Sequence, residues 1–252
     1  MMGLDPVQDV DDPIGLKTLE LFAGADEFNR WMYNAIAPYC KGRLLEIGSG
    51  IGNLSQLLLD QGGKVILSDL RSAYCQFLQH RFGDKSNLEG VVQLDLSVPF
   101  NIPGDPLLAP GFDTIIALNV VEHIGDDKIA IGNCVRLLRP GGRLVVLVPA
   151  FQSLYNALDK GLGHYKRYSR KGLNALLVEQ GLEVKHSRYF NSAGILAWWM
   201  SGIILRKKSI TAGQLNLYNL FLPVFRLIDA FMYRVAGLSV ISIGEKKKTE
   251  SN

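Results

Sequence analysis

The chain is poor in cysteine. Only Cys40, Cys75 and Cys134 occur among 252 residues, an odd number, far apart and with no Cys-x-x-Cys pair. That usage excludes a zinc finger or a redox dithiol and makes a reducing, cytoplasmic compartment the expected location. Gly and Pro, 26 and 10 residues, show no collagen-like period. No internal repeat or low-complexity tract occurs, and 48% hydrophobic content excludes a disordered chain. The opening MMGLDPVQDVDD is acidic and lacks an apolar core, so it does not read as a signal peptide. Met2 stands where a myristoylation signal needs Gly. The apolar stretch Ala193 to Leu205 has 13 residues, short of the roughly 20 that cross a bilayer.

What is present is enough for one large domain or two small ones at roughly 150 residues each. A single fold of this size buries roughly 70–75% of its unfolded surface and needs no disulfide or metal staple. The net charge of +3 hides an asymmetry. Residues 1–142 carry 11 Lys/Arg and 18 Asp/Glu, or −7; residues 143–252 carry 16 and 6, or +10. The basic half either is an uneven solvated surface or meets an anionic partner.

Residues 1–15 read as a flexible acidic tail. Residues 16–39 read as an N-terminal helix, with Phe28, Trp31, Met32, Ala35 and Ile36 on one stripe. Strands then alternate with helices. Expected strands are Arg43 to Ile47, Val65 to Ser68, Val91 to Leu94, Thr114 to Leu118, Arg143 to Val148, Leu182 to Phe190 and Leu238 to Ile243. Their nearly continuous apolar runs suit a sheet buried on both faces. The pattern argues an α/β class, a doubly wound and mostly parallel sheet. One segment, 191–235, breaks the rhythm between the last two strands.

Ligands of such sheets bind at the carboxyl ends of the strands. There the chain places Gly48, Gly50 and Gly52, directly after the first strand. No Gly-Lys-Ser/Thr follows, so a Walker loop is excluded. The third glycine falls one residue early for a dinucleotide loop and Asn53 takes its place, which disfavours a nicotinamide dehydrogenase. Three acids stand nearby. Asp69 ends the second strand and can accept both hydroxyls of a ribose. Asp95, at the end of the third, can accept from a purine amine. Glu46 precedes the loop and can orient it or meet a cation. A negative pocket of this kind suits a ligand bearing ammonium and sulfonium charges and repels phosphates.

The run Leu44-Leu45-Glu46-Ile47-Gly48-Ser49-Gly50-Ile51-Gly52 resembles the first motif of the class I S-adenosylmethionine-dependent methyltransferases. Asp69 with Leu70 and Asp95 with Leu96 match its ribose and adenine positions. Phe112 to His123, with Asn119 at the strand's end, resembles the fourth-strand motif, and Leu137 to Leu144 the turn into the fifth. The likeness covers roughly residues 40–190. It implies a seven-stranded Rossmann-like sheet with the last strand antiparallel, S-adenosylmethionine as cofactor, and an N-terminal helix over it. Residues 40–150 would form the cofactor half, 151–235 an acceptor-binding loop and helical lid, and 236–247 the last strand.

Methyl transfer is an in-line displacement, and aligning the reactants supplies roughly 7–11 kcal/mol. An oxygen or amine acceptor also has to lose a proton, for which His is the usual base. His80 and His186 read as solvated. His123 sits beside Glu122 near the expected methyl and reads as framework. His164 lies in Gly161-Leu162-Gly163-His164-Tyr165-Lys166-Arg167-Tyr168, which borders the acceptor pocket. It is either the base or a pin for its loop; the glycines point to a lid and Lys166 and Arg167 to an anion site. No metal is expected.

The insert carries Trp198, Trp199 and Ile203, then Arg206-Lys207-Lys208, then a second apolar stretch from Leu215 to Met232 kinked at Pro223. The favoured reading is a buried lid packing on the sheet; the other is a peripheral contact with an anionic membrane surface. The expected activity is methyl transfer to a small, hydrophobic or amphipathic acceptor, lipid-like or glycan-linked, at oxygen. The alternatives are an RNA- or protein-directed methyltransferase and a non-catalytic cofactor-binding module. No RNA-recognition motif occurs, so nucleic acid is not an expected partner.

Overall fold

A computed structural model describes residues 13–99, 106–109, 111–207 and 211–248. Seven strands form one sheet: β1 (Leu44–Ile47), β2 (Val65–Asp69), β3 (Leu88–Gln93), β4 (Phe112–Leu118), β5 (Leu138–Pro149), β6 (Leu182–Phe190) and β7 (Ser239–Lys246). Their spatial order is β3-β2-β1-β4-β5-β7-β6. Pairs from β3 across to β5 are parallel, while β7 runs antiparallel to both β5 and β6. The chain reverses direction outward from β1, so the strand order switches between β1 and β4. That switch point is where open α/β sheets hold their ligands.

The sheet is covered on both faces. On one, α5 (Asp127–Leu137) and α7 (Arg170–Glu179) bury Ile131, Cys134, Leu173 and Leu177 against Ile115, Leu144 and Val146. On the other, α2 (Asp26–Ile36), α3 (Ser55–Leu59) and α4 (Ser72–Phe82) bury Ile36, Leu58, Leu78 and Phe82 against Leu67, Ile116 and Val145. Strand centres that face apolar helices on both sides are mostly apolar for that reason, with Glu46, Ser68 and Thr114 as buried, hydrogen-bonded exceptions.

Four differences from the expected boundaries matter most. Residues 1–12 of the expected tail lie outside the described residues, and Pro13–Gly15 are helical, opening α1 (Pro13–Ala23). The single helix expected over 16–39 is two helices, α1 and α2, broken at Gly24 and Ala25 and followed by a tight turn at Ala37–Tyr39. β5 starts at Leu138, because Leu138 pairs with Phe112 before the register slips through Pro140–Gly142 to Arg143 opposite Thr114. β3 ends at Gln93, so Asp95 lies two residues beyond it.

Between β6 and β7 the chain folds into α8 (Gly194–Trp199), a wider helical stretch at Met200–Ile204, α9 (Ala212–Leu220) and α10 (Leu222–Met232). Pro223 sits in the first turn of α10, where its missing N–H costs nothing. Among the described residues, no single helix is long and apolar enough to cross a membrane.

Candidate active site

The loop after β1 turns sharply because Gly48 has φ +67°, and a Cβ there would stand 2.6 Å from Val120 Cγ2. The N–H of Gly50 points at Asp69 and donates to its Oδ2 at 2.9 Å, while Oδ1 accepts from Arg71 N–H at 3.0 Å. Burial raises the Asp69 pKa, and these amides and Arg71 oppose that rise. Asp69 is thus fixed by the backbone, with its remaining lone pairs open to a ligand hydroxyl. α1 closes the loop from above, where Asn53 Nδ2 donates to Leu19 O at 2.8 Å.

Above these strand ends lies a cavity of about 950 Å³. Glu46, Gly48, Gly50, Asp69, Leu70, Asp95, Leu96, Asn119 and His164 all line it. Gly52 does not. At φ +84° it packs under the Phe82 ring, which a Cβ would overlap at 2.4 Å, so it shapes the loop from behind. Asp95 spends Oδ1 on Ser97, accepting from its N–H at 2.7 Å and its Oγ at 2.6 Å, and keeps Oδ2 for a ligand. Glu46 is buried, and its carboxyl accepts from Ser55 Oγ at the start of α3. Burial pushes its pKa up to about 7, against the hydrogen bonds from Ser55 and Ser49. It anchors α3 to the loop and is a weak partner for a cation. Asn119 holds the left-handed φ of +54° just after β4, its N–H donating to Leu147 O.

The far wall comes from the segment after β5. His164 Nδ1 lies 2.9 Å from Asp159 Oδ1, and Asp159, in the capped first turn of α6 (Ala157–Gly161), is wholly buried. Arg167 Nε donates to the same oxygen at 2.8 Å and Nη1 to Ala150 O at 3.0 Å. Burial raises the Asp159 pKa, but His164, Arg167 and the Asn156 amide outweigh it and leave it lowered. The His123 ring stands edge-on to His164, centroids 4.8 Å apart.

This arrangement corrects three expectations. The loop is no lid: His164 N–H donates to Asp159 O, Tyr165 N–H to Glu122 O, and Tyr155 OH to His164 O at 2.7 Å. Arg167 is buried and committed to Asp159, and Lys166 pairs with Asp127 at 2.7 Å, so neither awaits an anion. His186 is part-buried and stacks on Tyr39, centroids 5.4 Å apart, with burial first and then Arg188 lowering its pKa; His80 is exposed, as expected.

Sequence reasoning missed Asp159. Its signal was Asn156-x-x-Asp159, a variant of the capping box, and the structure shows both reciprocal hydrogen bonds of that motif. Glu122, His123 and His164 bring one ligand atom each within 4.8 Å of one another. Two features oppose a cation there: the buried Arg167 guanidinium acts on Glu122, and Asp159 already occupies His164 Nδ1. Glu122 is wholly buried, and burial pushes its pKa up to about 8 despite its own backbone N–H and Arg167. A raised carboxyl favours the folded state most when protonated, so its burial penalises stability increasingly as pH rises from about 4.3 to about 8. Glu122→Gln should therefore gain stability over the wild type at pH 8.5 and lose that advantage toward pH 4, read from urea midpoints at the two pH values.

A methyltransferase-domain family model matches residues 45–144, the stretch from β1 into β5. The match, with the glycine loop and the strand-end acids, supports a class I S-adenosylmethionine-dependent methyltransferase. A "probable S-adenosylmethionine-dependent methyltransferase" of Mycolicibacterium smegmatis is 27% identical over 201 residues, covering 76% of this chain and 74% of that protein. A ubiquinone biosynthesis O-methyltransferase of Xanthomonas euvesicatoria is 29% identical over 157 residues, covering 57% of this chain and 63% of its own length. The fold is that of an Archaeoglobus fulgidus methyltransferase crystal structure, with TM-score 0.57, 19% identity, and 90% and 97% of the two chains covered.

The cofactor of this methyltransferase is S-adenosylmethionine. The cradle fits it: a loop that a Cβ at position 48 would jam, with carboxylates from the ends of two neighbouring strands facing the cavity and no Lys or Arg of the loop to attract phosphate. Asp69→Ala should weaken cofactor affinity by about 1–3 kcal/mol, since ribose hydroxyls would lose their acceptor. Titration calorimetry reads this directly; unchanged affinity would remove Asp69 from the site.

Proposed function

We propose that the protein transfers a methyl group to an oxygen of a small, apolar or amphipathic acceptor, with His164 as general base. The observation that carries this reading is the Asp159–His164 pair at the cavity wall, opposite the glycine loop. With Nδ1 engaged by a buried carboxylate, the ring is held in one orientation, and Nε2 is the nitrogen left to take a proton. Asp159 keeps its charge because Arg167 and the Asn156 amide face it. It can stabilise the imidazolium as that forms.

When bound, S-adenosylmethionine supplies an electrophilic methyl carbon. The chain's own residues do the rest. The Gly48–Gly50 loop and Asp69 fix one reactant, and His164 orients the acceptor hydroxyl and holds its proton once the O–CH₃ bond forms. The cavity walls keep the two reactants in line, the largest rate effect available to such a reaction. The acceptor end is apolar on one side, where Trp198, Leu215 and Phe190 line the cavity, and polar on the other. An amphipathic molecule fits both surfaces. The likeness to a ubiquinone biosynthesis O-methyltransferase supports oxygen as the methylated atom. All three cysteines are free thiols, which supports a cytoplasmic placement.

The test is incubation with S-adenosylmethionine labelled at the methyl carbon and a set of phenols, alcohols, amines and RNA, followed by carbon NMR of the products. Label on a phenol or alcohol oxygen supports the reading. Label only on nitrogen, on RNA or on protein overturns it.

A further inference from the structure

The helices between β6 and β7 are amphipathic in the inverse sense for a soluble protein. Twenty large apolar side chains are exposed among the described residues, and fifteen of them lie between Leu196 and Val235. Phe231 is 76% exposed and Leu220 72%. The inward contacts of the same helices include several polar ones: Gln214 Nε2 donates to Ser201 Oγ at 2.8 Å, Tyr218 OH to Asn191 Oδ1 at 2.5 Å, and Ser192 to Asp229 Oδ1. The buried lid expected from the sequence is therefore replaced by a layer fixed through polar contacts with its apolar side outward. Fifteen exposed large apolar side chains gathered on consecutive helices of a folded chain mark an interaction surface.

Charge selects the partner. Residues 191–235 contain five Lys/Arg and one acid, Asp229, which is buried under Ser192. Arg206 and Arg234 are exposed at the edges of the patch, while Arg226 pairs with Glu27. A second copy of the chain would set these basic groups against themselves. The interface of an anionic bilayer offers both an apolar layer and negative headgroups. α9 and α10 have 9 and 11 residues and bend by 70° at their junction, so neither alone is long enough to span and the two do not form one straight helix.

We propose that α8, α9 and α10 dock the protein on an anionic membrane surface, and that the acceptor enters the cavity from that surface. α8 supplies Ala197 and Trp198 to the cavity wall, the stretch after it Ser201, and α9 Leu215 and Tyr218. An amphipathic acceptor can then pass from lipid to His164 along protein. This entry route rests on the acceptor reading above; the docking itself does not.

The experiment is flotation of the full chain with phosphatidylcholine vesicles, with and without phosphatidylglycerol, at low and high salt. Binding should require phosphatidylglycerol and weaken with salt. The triple variant Leu220→Glu, Leu227→Glu, Phe231→Glu, whose positions lie outside the cavity wall, should lose more than about tenfold in vesicle partition. Its circular dichroism and cofactor affinity should stay unchanged. A wild type that does not float with anionic vesicles, or a triple variant that floats equally well, overturns docking. So does a wild-type dimer, seen by sedimentation, that the triple variant dissolves while vesicles stay unbound. If vesicles bind but no hydroxyl acceptor is methylated, docking stands and the acceptor reading falls.

Discussion

Asp159→Ala should cost the fold about 3–5 kcal/mol, the expense of stranding a buried charge. The carboxylate has no exposed surface and receives Arg167 Nε, His164 Nδ1 and Asn156 N–H. The Arg167 side chain is itself 1% exposed, and its remaining contacts are Ala150 O and the Trp198 ring, 4.7 Å from the guanidinium carbon. Alanine at 159 leaves that guanidinium facing Glu122 alone of its two acidic neighbours, a carboxyl whose pKa burial pushes up to about 8. A domain has only about 5–15 kcal/mol to lose, so the urea midpoint should fall sharply. Arg167→Met in the same background should restore most of the loss, because removing both charges leaves no stranded ion. The lowered Asp159 pKa sets the sign of the pH dependence. Its contribution is fully present above the unfolded carboxylate range, about 3.9, and is lost as pH falls through the folded value. The gap between wild type and variant should therefore close in acid. A double variant no more stable than Asp159→Ala would mean that the carboxylate acts through Asn156 and the start of α6.

The cradle of the site was legible because each part is local. A glycine turn directly follows a strand, and acids stand at or just past the ends of the next two, so topology alone gathers them at one edge. Gly52 shows the limit: its neighbour is Phe82, on a helix far along the chain, and spacing cannot tell a glycine that faces a ligand from one that faces a ring. The acceptor wall was less legible. Lys166 and Arg167 read as available cations, yet their partners, Asp127 and Asp159, are set by how α5 and α6 pack. The insert misled for a different reason. Apolar periodicity shows that a helix has an apolar face but not what covers it. Here the short polar residues Ser192, Ser201 and Gln214 took the inward contacts, and Leu217, Leu220 and Phe231 were left outside.

His164→Ala should lower turnover by roughly 10²- to 10⁴-fold, the usual contribution of a positioned base, with cofactor affinity unchanged. The separation follows from the geometry: His164 and Asp69 line the same cavity but belong to different walls. Because His164 also sits in a pinned loop, alanine alone cannot distinguish chemistry from support. His164→Asn can. An Asn amide can still meet Asp159 Oδ1, the contact that holds the loop together with the His164 N–H bond to Asp159 O and the Tyr155 bond to His164 O. It cannot accept and hold a proton. Both variants should therefore be slow, and the Asn variant should keep the wild-type unfolding midpoint. His123, edge-on to His164 at the cavity rim, is the internal control. His123→Asn should cost less turnover than His164→Asn, because the buried Asp159 carboxylate orients the His164 ring. If His164→Asn turns over at nearly the wild-type rate, His164 is a pin, and alignment of the two reactants carries the catalysis.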